Sequence, residues 1–158
     1  MIVVSDTSPL NYLVLIDEIE LLPKLFGQVL IPQIVLDELG GDGAPDKVHE
    51  WLQSPPDWLV VKPNAPSDPF GLSHIDPGER EAILLAAEMS ADLVLLDDRQ
   101  ARKAARSIGL RITGTIGVLD KAAQEGLIDV EDIVRRLSST NFYIATELIQ
   151  ALLRNRPN

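Results

Sequence analysis

Residues 2–9 read IVVSDTSP: a short apolar, β-branched run, then an acid, two hydroxyl residues and a proline. The run over 2–5 predicts a strand buried on both faces, the kind found inside a parallel sheet. Ser8 followed by Pro9 predicts a helix start, with Ser8 as N-cap and Pro9 at the first helical position. A buried strand leading through one acid into a helix opens an α/β unit, and Asp6 sits at its hinge.

The same grammar repeats along the chain. VLIP (29–32), WLVVK (58–62), ADLVLL (91–96) and LRIT (110–113) read as further strands. Helices are predicted over about 9–16, 18–26, 32–39, 46–53, 77–90, 99–108, 115–125, 130–138 and 145–154. The start near 77 is strongly marked, with Asp76 at N-cap, Pro77 at N1 and Glu79 at N3. PNAPSDPFGLSHI (63–75) is the longest irregular stretch, either a surface loop or part of a site. Strands alternating with helices predict an α/β fold of three layers, α/β/α, with a mainly parallel central sheet of four to five short strands. No repeat or linker divides the chain, so 1–158 reads as a single domain with a C-terminal helical extension from about 129.

Composition narrows the function. The chain has 158 residues, no cysteine and two histidines, His49 and His74, which excludes thiol catalysis, cysteine-bound metal and a multi-histidine centre. No basic leader or membrane-length apolar run is visible, and a cytoplasmic location is the expectation. A net charge of −10 with 4% aromatic residues excludes a protein that holds nucleic acid by overall attraction or a base-stacking platform. It leaves open an enzyme that gathers cations on carboxylates.

In an open parallel sheet the functional crevice lies beyond the C-terminal strand ends. Asp6 and Asp97 fall at that address, Glu79 opens a helix near it, and Glu38 lies two turns into the helix after the second strand. Each acid has a plainer reading. Glu79 is the N3 member of a capping box, Asp98 caps the next helix, and Glu38 is a solvated helix residue. Taken together they are costly, because two carboxylates ~4 Å apart repel by about 4 kcal/mol at an effective dielectric near 20. A carboxylate set without cysteine selects a hard cation, Mg²⁺ or Mn²⁺, and such ions activate water and stabilise charge on a phosphodiester.

At these residues the sequence resembles the PIN-domain family of metal-dependent ribonucleases, in particular the VapC-like toxins of prokaryotic toxin–antitoxin pairs. VVSDTS (3–8), IPQIVLDEL (31–39), GEREAILLA (78–86) and LVLLDDRQAR (93–102) match the family's four motifs in order, and GTIGVLDKAAQEGLI (114–128) is similar to one PIN-like subgroup. The resemblance implies that Asp6, Glu38, Glu79 and Asp97 hold one or two Mg²⁺ or Mn²⁺ ions, with Asp98 as an auxiliary candidate. It departs from the common pattern in having Glu79 rather than Asp at the third position, with Glu81 a competitor, and Leu95 where Thr or Ser is frequent.

The activity this implies is an endoribonuclease acting as the toxin of a type II pair. Its partners would be an RNA substrate, a cognate antitoxin that inserts a basic residue among the carboxylates, and a second copy in a homodimer. A PIN-type nuclease in RNA processing or DNA cleavage, and an inactive PIN-scaffold binding module, are the alternatives. A phosphoryl-acceptor receiver domain fits less well, since no lysine follows LRIT until Lys121. Candidate RNA contacts are Thr7, Asn11, Arg99 and Arg102, the last two sharing a helical face with Arg106. Tyr12, Leu13, Leu21 and Leu25 are either a partner groove or ordinary core.

Overall fold

Strands and helices alternate in a computed structural model that describes residues 1–139, 150 and 152–154. In chain order they are β1 (Val3–Ser5), α1 (Thr7–Leu15), α2 (Leu21–Phe26), β2 (Val29–Pro32), α3 (Gln33–Leu39), α4 (Asp46–Leu52) and β3 (Leu59–Lys62). There follow α5 (Pro77–Glu88), β4 (Leu93–Leu95), α6 (Arg99–Ser107), β5 (Ile112–Thr113), α7 (Thr115–Gln124) and α8 (Val130–Ser138). The helix expected over 145–154 falls largely outside the described residues.

All strand pairs are parallel, and the sheet runs β3-β2-β1-β4-β5. The chain winds outward from β1 through β2 to β3, then crosses back to place β4 on the other side of β1. That reversal leaves a crevice at the C-terminal ends of β1 and β4. Because side chains alternate across a strand, each strand feeds both faces. Val3, Val29, Ile31 and Leu95 enter one core cluster with α1, α2, α3, α7 and α8, while Val4, Leu30 and Val94 enter a second under α5 and α6. Burial of this kind contributes roughly 1.5–3 kcal/mol for each large apolar side chain.

The structure corrects several local expectations. Helix α1 begins at Thr7 with Asp6 as N-cap, so Ser8 is not the cap and Pro9 stands third in the helix. Proline is tolerated there because the first N–H groups of a helix have no intrahelical partner. Leu13 and Leu21 are fully buried and Leu25 packs against the same cluster, so they are core and not a partner groove. Val130, Ile133 and Leu137 of α8 also join that core, and Arg136 ties the helix to Glu18 and to the Ile16 carbonyl. Among the described residues no helix is long and apolar enough to cross a membrane.

Candidate active site

A cleft of about 670 Å³ opens at the crevice, lined by Asp6, Thr7, Ser8, Asn11, Glu38, Asp76, Gly78 and Glu79 among others. Asp6 is placed by the sheet itself. Its backbone N–H donates to the Leu95 carbonyl at 3.1 Å, which extends the β1–β4 pairing one residue past the strand. The side chain is 3% exposed. Burial pushes its pKa up to about 7; the Thr7 backbone N–H offsets part of that, and the charges of Glu38, Asp97 and Asp98 add to it.

Glu38 comes from α3 and Glu79 from the first turn of α5. Thr7 donates its hydroxyl to Glu38 Oε2 at 3.2 Å. Gly78 packs directly on the Glu38 carboxylate, where a Cβ would collide with it. The Glu38 pKa is raised by burial, with the Thr7 hydrogen bond opposing. Glu79 is pushed up to about 8 by burial and then by Asp6, Asp98, Asp76 and Glu38, with no lowering influence among its causes. Asp76 is the N-cap of α5 but makes no side-chain cap hydrogen bond, so the capping box foreseen with Glu79 is not formed. Glu81 looks elsewhere: its Oε2 accepts the Ala65 N–H at 3.0 Å and anchors the 63–75 loop.

Asp97 lies two residues beyond β4 and is held from the first residue of α7. The Thr115 backbone N–H donates to Oδ1 and the Thr115 hydroxyl to Oδ2, each at 2.6 Å. Burial raises the Asp97 pKa, while both Thr115 bonds and the Arg102 charge pull it down. Asp98 is occupied as the N-cap of α6, accepting the Ala101 N–H at 2.9 Å. Its charge still reaches Asp6 and Glu79.

The remaining candidates divide. Asn11 lines the cleft, and its Oδ1 is buried with no hydrogen-bond partner. In α6, Ala101 and Ala105 face the core, which turns Arg99, Lys103 and Arg106 to solvent and leaves Arg102 half-buried near Asp97. His49 bonds the Gly41 carbonyl and His74 is exposed outside the cleft lining.

The family model of the PIN domain (DUF3368) matches residues 2–156. The chain belongs to the PIN-domain family. Among solved structures, a PilT N-terminus domain protein from the hyperthermophilic archaeon Sulfolobus solfataricus is similar in fold, with a TM-score of 0.52 and 16% identity over 91% of this chain and all of that one. No curated protein matches. PIN domains are generally nucleases, and divalent metals are typical of them.

The PIN-domain cleft suits a hard cation in chemistry more than in present posture. Among the described residues none of Asp6, Glu38, Glu79 or Asp97 is in a salt bridge. Carboxylates with unmet charge and an orphaned amide oxygen are the donors Mg²⁺ and Mn²⁺ take. Yet no three Asp, Glu or His side chains among the described residues converge closely enough to hold an ion as they stand. Sequence reading missed Thr115, Gly114 and Gly78. The signal for the first two was their position at the C-terminal end of β5, the same sheet edge as Asp6 and Asp97.

Proposed function

We propose that this PIN domain is a Mg²⁺- or Mn²⁺-dependent endoribonuclease and the toxin of a type II toxin–antitoxin pair. The observation that carries the reading is that Asp6, Glu38 and Glu79, from three separate segments, line one cleft at the sheet's crossover, with Asp6 and Glu79 raised to about 7 and 8. Charge left uncompensated at such a cost supports a site completed by a cation. Asp6, Glu38, Glu79 and Asp97 would hold one or two ions, and Asp98 stays with its helix cap. When bound, the metal supplies water activation and neutralises charge on the scissile phosphate.

The chain's own groups do the rest. Thr7 orients Glu38, and Asn11 lines the cleft as a candidate RNA contact. Arg99 and Arg102 offer the phosphodiester backbone a local positive strip on an acidic protein. The likeness to VapC-like toxins supports a homodimer and an antitoxin whose basic side chain occupies the acidic cleft.

The test is incubation of the purified chain with labelled single-stranded RNA and matched DNA, with Mg²⁺ or Mn²⁺ and with EDTA. Metal-dependent internal cuts in RNA, lost in Asp6→Asn, are the expected result. Cleavage of DNA alone, or none with either metal, overturns it. Growth arrest on expression, relieved by a co-encoded small protein, tests the toxin role separately.

A further inference from the structure

We infer that Thr115 is a positioning residue for the proposed metal site, fixing Asp97 so that one carboxylate is aimed before any ion arrives. The inference rests on the metal-dependent reading above and goes beyond it, since Thr115 lies outside the acidic set. Three observations carry it. Thr115 is completely buried, so its hydroxyl has no solvent to bond. Its N–H and its hydroxyl take separate oxygens of Asp97, both at 2.6 Å, so the carboxylate can neither rotate nor swap oxygens without losing one bond. Gly114 closes the third side: a Cβ there would lie 2.6 Å from Asp97 Oδ1 and 3.2 Å from the Leu96 carbonyl. Its φ of −115° is open to any residue, so the glycine is required by space and not by backbone conformation.

The physical consequence is specific. Each carboxylate oxygen has two lone pairs, and Thr115 uses one on each. That leaves one lone pair on each oxygen, and the side-chain entropy of Asp97 is already spent. Groups that hydrogen-bond a metal's ligands typically contribute 10- to 100-fold in affinity.

The test compares wild type, Thr115→Val and Thr115→Ser by Mn²⁺ titration, reading free Mn²⁺ by electron paramagnetic resonance, with metal-free thermal unfolding alongside. Thr115→Val keeps the shape and the backbone N–H but removes the hydroxyl. It should bind Mn²⁺ about 10- to 100-fold more weakly, while Thr115→Ser stays near wild type. Should the valine variant not fold, Thr115→Ala removes the same hydroxyl and carries the same expectation. A hydroxyl-free variant that binds Mn²⁺ as wild type does, with only its unfolding temperature lowered, overturns the positioning role and leaves the nuclease reading standing. A wild-type chain that takes up no Mn²⁺ overturns both.

Discussion

Asp97, at the end of β4, and Glu79, in the cleft lining, are held on opposite plans. Asp97 is the more buried acid, yet three influences bring its pKa back down: the Thr115 hydroxyl, the Thr115 N–H and Arg102. Glu79, across the crevice, is half-exposed, and every influence on it raises its pKa, to about 8. Burial is the largest cause of the rise at both acids; at Asp97 nearby donors and a positive charge offset part of it, and at Glu79 nothing does. One wall is fixed before a ligand arrives. The other, Glu79 with Glu38 and its single 3.2 Å bond from Thr7, is free to adapt.

The largest expected effect follows from Asp6 and Glu79, the two acids raised to about 7 and 8. Asp6 moves from an ordinary 3.8 to about 7 in the fold, and Glu79 from 4.5 to about 8. Over that interval the native state binds more protons than the unfolded chain, so metal-free stability must fall as pH rises. At about 1.4 kcal/mol per pK unit, Asp6 accounts for at most about 4 kcal/mol of that decline, and Glu79 adds less because solvent screens it. Urea midpoints in EDTA from pH 4 to pH 8 measure it. Asp6→Asn should flatten the slope and be the more stable protein at pH 8; a flat wild-type profile would contradict the account.

A divalent cation should reverse the penalty. Free Mn²⁺ at 100 times its dissociation constant should stabilise the wild-type chain by about 2.7 kcal/mol, and Asp6→Asn by far less. The sharper comparison uses the two glycines. Gly114→Ala forces a methyl against the clamped Asp97 and the Leu96 carbonyl, neither free to give, and should cost about 1–3 kcal/mol. Gly78→Ala meets only the end of the flexible Glu38 side chain, so it should cost under about 1 kcal/mol and still weaken Mn²⁺ binding. Chemical denaturation and Mn²⁺ titration of both variants separate the cases. Equal losses of stability would show that the two walls are alike after all.

The same contrast explains what the sequence disclosed. Asp6 and Asp97 were legible because each follows an apolar strand, and strand ends locate a crevice without knowledge of contacts. The five strands were legible too; VLIP (29–32) matches β2 residue for residue, while ADLVLL shrinks to Leu93–Leu95 and LRIT to Ile112–Thr113. Ser8 misled because Ser-Pro is a good helix start, while Asp6 already occupies the N-cap one turn of logic earlier. Thr115 was missed for a different reason. Its role depends on β5 lying beside β4, a pairing that local pattern does not encode. Gly78 was absorbed into a capping motif whose hydrogen bonds the fold does not make.

Arg102 offers the smallest and most discriminating effect. It stands at the fixed wall, lowers the Asp97 pKa and is half-buried, while Arg111 lies just before β5 at the opposite edge of the sheet. If Arg102 contacts phosphate, its loss removes about one counterion-releasing contact, and the slope of log affinity against log salt for single-stranded RNA should shrink by about 0.7. Fluorescence anisotropy in the Asp6→Asn background, which prevents cleavage, reads that slope. Arg102→Ala should lower it for all RNA sequences alike, since phosphate contacts carry no sequence information. Arg111→Ala should leave it unchanged. Equal slopes for the two variants would place the RNA path away from α6, and the guanidinium of Arg102 would then serve Asp97 alone.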